Sequence, residues 1–296
     1  MFVVHYVSPH RLNSIVSPTD APCKHAFRKI AAFCYKHADA VPTGAVSPRK
    51  GGHPPTFICM TMFALVHGAW HGAWCWELLT PLLQQAGHNV VAPELPSDDG
   101  SADFDTYADV MHSALRGCDD NVVVVGHSLG GPTATLVAAR RPARHLVYLC
   151  AVVPEVGLSL VDQGLEQVTA EFANGWVKGL SKPDEQGRTV WVDFDFVRKM
   201  FYADCDEPTV AAAIDHLRPQ AAYPWTLPCS LTEPPSVPCT YVVCAEDQVV
   251  NLEWSRRIAH RIGADIVELP GSHSPLLSRP SAVADVLLRV AEEGER

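Results

Sequence analysis

The stretch VVVVGHSLGG at residues 122–131 limits the fold more than any other part of the chain. Four valines read as a β-strand, and the small, mostly apolar residues after Gly130 read as a helix. Strand and helix meet at Gly126-His127-Ser128-Leu129-Gly130. A G-x-S-x-G turn in that setting is a nucleophile elbow, whose sharp bend holds the serine in a strained backbone conformation. The residues two before and two after the serine must lack side chains for strand and helix to approach, and Gly126 and Gly130 meet that need. His127 stands beside Ser128, yet neighbours in a chain rarely face each other. His127 is therefore expected to point away and pack, and the base for Ser128 must come from elsewhere.

From Met60 onward, short β-branched runs alternate with helical patterns, which predicts a parallel sheet covered by helices on both faces. Six strands are expected, at 61–66, 88–92, 121–125, 145–151, 239–245 and 265–269. Helices are expected at 74–86, 105–116, 129–140, 252–262 and 281–292, with Gly87, Gly117 and Gly263 as C-terminal stops. The spacing breaks once, because about 85 residues separate the fourth strand from the fifth. Residues 154–238 contain Trp176, Trp191, Phe194, Phe196, Phe201, Tyr202 and Trp225, too aromatic for an unstructured loop. This segment reads as a mostly helical cap inserted over the C-terminal ends of the strands, with 60–153 and 239–296 forming the core.

Charge sets the remaining boundary. The 296-residue chain has a formal net charge of −10, but residues 1–59 carry +5 and the rest −15. Residues 1–59 also hold seven prolines and end near PRKGGHPP, a composition that packs poorly. Only 21–40 has a helical pattern there. The segment reads as a disordered leader, a transit peptide, or the product of a start assigned upstream of Met60 or Met62. The acidic remainder argues against a nucleic-acid partner, and no run approaches the roughly 20 apolar residues of a membrane span. Ten scattered cysteines without a CxxC pair or export signal read as reduced thiols, which points to the cytoplasm.

An acyl-transfer site needs two donors for the oxyanion formed on attack. The backbone N–H of Leu129, at a helix start, supplies one. FALVHGAWHGAW, directly after the first strand, supplies a loop for the other: Gly68 allows close approach and Ala69 offers its N–H. The rival reading of this loop, a metal site from His67 and His71, lacks the glutamate of H-E-x-x-H, and the glycines oppose a continuing helix. Base and orienting acid should follow the later strands. YVVCAEDQVV ends with Glu246-Asp247, and IVELPGSHSP carries His273. Asp247 is the expected acid, with Glu246 as the alternative, and the order Ser, Asp, His suits such a sheet. Substrate-pocket positions are expected at Trp70, Trp176 and Phe194. No cofactor or metal is called for.

VHGAWHGAWCW, VVGHSLGG, VVCAEDQ and the PGSH turn together resemble the α/β-hydrolase superfamily. The likeness is to the small branch of plant methylesterases, hydroxynitrile lyases and related bacterial esterases, and it covers about residues 61–293. It implies the α/β-hydrolase fold, a strand order of 2-1-3-4-5-6, and a site where connections diverge to opposite sides of the sheet. The branch's lyases carry lysine after the catalytic histidine and threonine in place of the first HG glycine; here the residues are Ser274 and Gly68. Both favour cleavage of a small-molecule ester over lyase chemistry, with C–C bond hydrolysis on the same residues as a further alternative. The superfamily also holds slow-turnover ligand receptors, so fold alone decides nothing.

Overall fold

The computed structural model describes residues 60–293. The expected leader at 1–59, with its helical pattern at 21–40, lies outside the described residues. Six strands form one sheet: β1 (Met62–Val66), β2 (Asn89–Val91), β3 (Val122–His127), β4 (His145–Leu149), β7 (Cys239–Cys244) and β8 (Asp265–Leu269). Their order is β2-β1-β3-β4-β7-β8, and every neighbouring pair is parallel. This is the predicted order. Two further strands, β5 (Arg188–Thr189) and β6 (Gln220–Ala221), form a small antiparallel ribbon of their own.

All six residues of β3 are buried, and their alternation divides the core in two. Val123 and Val125 join Phe63, Leu65 and Val147 on one face, where α1 (Thr80–Gln85), α9 (Pro275–Ser278) and α10 (Pro280–Glu293) contribute Leu83, Leu276 and Leu287. Val122 and Val124 join Ala64, Leu146 and Tyr241 on the other face. There α2 (Phe104–Ala114), α3 (Gly130–Arg140) and α8 (Leu252–Arg261) add Met111, Val137 and Ile258. Each fully buried aliphatic side chain contributes about 1.5–3 kcal/mol. The two faces together anchor the strand that carries the elbow.

Two expected boundaries move for identifiable reasons. The helix expected at 74–86 is a 3-10 turn at Ala73–Trp76 followed by α1, because Pro81 lacks an N–H and occupies a first-turn position, where a helix begins. The strand expected to run to 151 stops at Leu149, because Cys150 adopts φ +47 and turns the chain. Between β4 and β7 lie α4 (Ala170–Gly179), α5 (Phe194–Phe201), α6 (Glu207–Asp215) and α7 (Tyr223–Thr226). The first three are capped by Thr169, Asp193 and Asp206, whose side chains accept backbone N–H groups of the first turn. Among the described residues no helix is long and apolar enough to cross a membrane.

Candidate active site

Ser128 sits between β3 and α3 with φ +52, a conformation that side-chain-bearing residues rarely adopt. Neighbouring backbone holds it there. The Ser128 N–H donates to the Leu149 carbonyl at 3.2 Å, and the Ser128 carbonyl accepts from Val152 at 3.0 Å and Gly131 at 3.2 Å. The elbow glycines are sterically required. A Cβ on Gly130 would lie 2.5 Å from the Val66 carbonyl oxygen, and one on Gly126 would lie 2.8 Å from the Gly130 oxygen. Gly131, which the motif does not single out, is tighter still, since its Cβ would sit 1.9 Å from the Val152 oxygen. We expect Gly131→Ala to cost about 2–3 kcal/mol through overpacking and to lower Tm by roughly 5–10 °C. Calorimetry showing an unchanged Tm would mean that α3 can slide without penalty.

The loop after β8 brings His273 to Ser128, with Nε2 2.9 Å from the serine Oγ. Its Nδ1 lies 2.9 and 3.1 Å from the two carboxylate oxygens of Asp247, which follows β7. A carboxylate there requires the proton on Nδ1, leaving the Nε2 lone pair to face the hydroxyl. Asp247 is fixed in turn, because Oδ1 accepts the N–H groups of Val249 and Val250 at 2.7 and 3.0 Å. Both side chains are buried, His273 fully and Asp247 with 4% exposure. Glu246, the alternative acid, faces elsewhere. Its carboxylate accepts the Gly271 N–H, and its own N–H donates to the Gly271 carbonyl at 3.0 Å. It clamps the turn that carries His273. Ser272 is held from the other side, donating its hydroxyl to Asp204.

His127 points away from Ser128, but it does more than pack. Its Nε2 donates to the His273 carbonyl at 2.9 Å, and burial holds its pKa well below the ordinary histidine value. His71 is neutral for the same reason, its pKa lowered to about 4 by burial.

The HGAW loop lies against the elbow, so close that a Cβ on Gly68 would come 2.8 Å from the Ser128 Cβ. Ala69 and Leu129 both border the cavity above Ser128, and Leu129 is the residue immediately before α3. Among the described residues neither of their N–H groups is taken up by another turn or loop carbonyl. His67 and His71 do not share a ligand point. The His67 ring lies between the Gly68 carbonyl and the Leu95 N–H, and the His71 ring between the Ala69 carbonyl and the Tyr202 hydroxyl.

The cavity measures about 140 Å³ and is walled by aromatic rings: Trp70, Phe172, Trp176, Phe201 and Trp225. Among the described residues no charged side chain lines it. Trp70 and Trp176 stand where the sequence placed them, their rings 6.1 Å apart and edge to face. Phe194 does not. It is 49% exposed at the first residue of α5, one to two turns before the buried Val197, Met200 and Phe201. Phe172 was missed, although it lies four residues before Trp176 on α4 and so shares its face.

A profile of the alpha/beta hydrolase family matches residues 63–286. The chain belongs to that family. Within this hydrolase family, Methylesterase 2 of Arabidopsis thaliana is 28% identical over 251 residues, covering 78% of this chain and 95% of the relative. A pyrethroid hydrolase of Sphingobium wenxiniae is 26% identical over 250 residues, covering 79% of this chain and 88% of the relative. The crystal structure of a pyrethroid hydrolase from Sphingobium faniae superposes with a TM-score of 0.70 at 24% identity, covering 79% of this chain and 98% of that one. The shared fold of the hydrolase core is thereby established.

Proposed function

We propose that this alpha/beta hydrolase cleaves small, largely apolar carboxylic esters through an acyl-enzyme on Ser128. The observation that carries the reading is the hydrogen-bonded series Asp247–His273–Ser128 beneath an uncharged aromatic cavity. As Oγ attacks the ester carbonyl, His273 Nε2 takes the serine proton, and the buried Asp247 stabilises the imidazolium. The carbonyl oxygen becomes an oxyanion facing the N–H groups of Ala69 and Leu129, where the α3 N-terminus adds a favourable field. Collapse expels the alcohol, which takes its proton from His273. A water deprotonated at the same nitrogen then attacks the acyl carbon, and the acid leaves Ser128 free. The chain's own groups handle every proton and charge in this sequence.

The cavity wall supports an apolar substrate, since an ionised one would lose hydration with no counter-charge to meet it. The methylesterases among the relatives support ester cleavage, and the pyrethroid hydrolase supports a hydrolytic reaction. Residues 154–238 act as a cap on a core of 60–153 and 239–296, because they supply Phe172, Trp176, Phe201 and Trp225 to the wall. All seven cysteines among the described residues are unbridged, which supports a cytoplasmic setting.

A panel of p-nitrophenyl and methyl esters of graded acyl length, run beside mandelonitrile, tests the reaction. A cyanohydrin lyase benefits from a cation near departing cyanide, and the residue after His273 is the neutral Ser274. We expect ester turnover with a preference for short or aryl acyl groups, and negligible mandelonitrile cleavage. Efficient mandelonitrile cleavage with no ester turnover would move the protein to the lyase class.

A further inference from the structure

We propose that His67 is a positioning residue that aims the Ala69 N–H at the oxyanion, by locking the plane of the Gly68–Ala69 peptide. The inference rests on the ester-hydrolase reading above and adds a residue to it. A trans peptide is planar, so the carbonyl of one residue and the N–H of the next point in opposite directions from one rigid unit. Whatever fixes the Gly68 oxygen therefore fixes the direction of the Ala69 N–H.

The His67 ring is 2% exposed, and its Nδ1 lies 3.0 Å from the Gly68 carbonyl oxygen. A carbonyl can only accept, so the bond requires a proton on Nδ1. The other nitrogen enforces that proton placement. Nε2 accepts the N–H of buried Leu95 at 3.1 Å, which a neutral ring can do only with its proton on Nδ1. Glu94 Oε1 stands 3.3 Å from the same Nε2, but that carboxylate is also engaged by Arg218 and by the Ala73 N–H at 3.2 Å. A doubly protonated ring would keep the proton on Nδ1 as well. Both arrangements hold Gly68 in the same orientation.

The neighbouring peptide is pinned independently. His71 Nδ1 lies 2.8 Å from the Ala69 carbonyl, and its Nε2 meets the Tyr202 hydroxyl at 2.8 Å. Trp70 follows at φ +57, so the loop bends sharply at the residue after the donor. With the carbonyls on both sides of Ala69 held, the peptide plane that carries its N–H is fixed where Ala69 borders the cavity with Ser128. The two histidines whose spacing suggested a metal pair are set as braces for adjacent peptide planes.

Two isosteric substitutions separate this role from general packing. In His67→Asn the amide nitrogen stands where Nδ1 stood and can still donate to Gly68. In His67→Gln the amide stands where Nε2 stood, reaching Leu95 but not Gly68. Complete loss of an oxyanion donor costs ~10²–10³ in kcat, so a misaimed one should cost roughly 10- to 100-fold. We expect His67→Gln to lose that much in kcat with little change in KM, and to bind a trifluoromethyl ketone more weakly by a similar factor. His67→Asn should stay within about fivefold of wild type, at a Tm no higher than that of the glutamine variant. Equal kcat values in the two variants, at any level, would overturn the proposal, and so would losses that simply follow Tm. The wild-type protein offers a test that needs no variant: a long-range ¹H–¹⁵N spectrum should show His67 Nδ1 protonated, and an Nε2–H tautomer would refute the plane lock. Absence of wild-type ester turnover would instead refute the ester-hydrolase reading, leaving the spectrum to decide the role of His67.

Discussion

Ser128→Ala should abolish ester hydrolysis, with a loss on the order of 10⁶-fold in kcat, the scale seen when a serine hydrolase loses its nucleophile. Alanine keeps the Cβ and the backbone bonds to Leu149, Val152 and Gly131 that shape the elbow. It removes only the oxygen that His273 faces at 2.9 Å, so the fold should survive. A serine-directed phosphonate should add one label to the native chain and none to the variant, read by intact mass. Labelling of the variant at the native rate would show that another residue is the nucleophile.

The second large effect separates two histidines whose ring centroids are 4.9 Å apart. His273→Gln should lose roughly 10⁴-fold or more in kcat, because glutamine can neither take the Ser128 proton nor return it to the leaving alcohol. His127→Gln should keep most of the activity. Its amide nitrogen can occupy the place of Nε2 and still donate to the His273 carbonyl, the contact that the wild-type ring makes at 2.9 Å. Equal losses in two folded variants would mean that His127 handles a proton as well as holding a carbonyl.

The sheet was legible in the sequence because hydrophobic pattern and turn chemistry agree along it. The buried valines of β3 announce a strand, and Gly87, Gly117 and Gly263 end helices with φ of +92, +80 and +68. The pairing of Ser128 with His273 and Asp247 was legible because each follows a strand, and parallel strands deliver their C-terminal ends to one edge. Apart from Phe172, whose spacing to Trp176 is local, what escaped depends on contacts distant in sequence. Nothing local to Phe194 says that its helix begins too early for that ring to reach the cavity. Glu246 and Asp247 are chemically near-equivalent neighbours, and only the Gly271 turn draws one of them away. Hydrogen-bond partners such as Leu95 for His67 lie beyond any motif.

The long connection between β4 and β7 bears on how such a chain can change over time. These strands are hydrogen-bonded neighbours although about 90 residues separate them. Closing a flexible loop of that length, rather than one of about 20 residues, raises the entropic cost by only roughly 1 kcal/mol. The length of the connection thus costs the sheet little. The walls of the cavity can be rewritten, lengthened or exchanged while Ser128, Asp247 and His273 keep their distances. The constraint falls on polar ties such as Asp204 to Ser272, Arg218 to Glu94 and Tyr202 to His71, which moor the connection to the loops around the site. A lineage could trade one ester for another by changing the connection, provided those moorings stay.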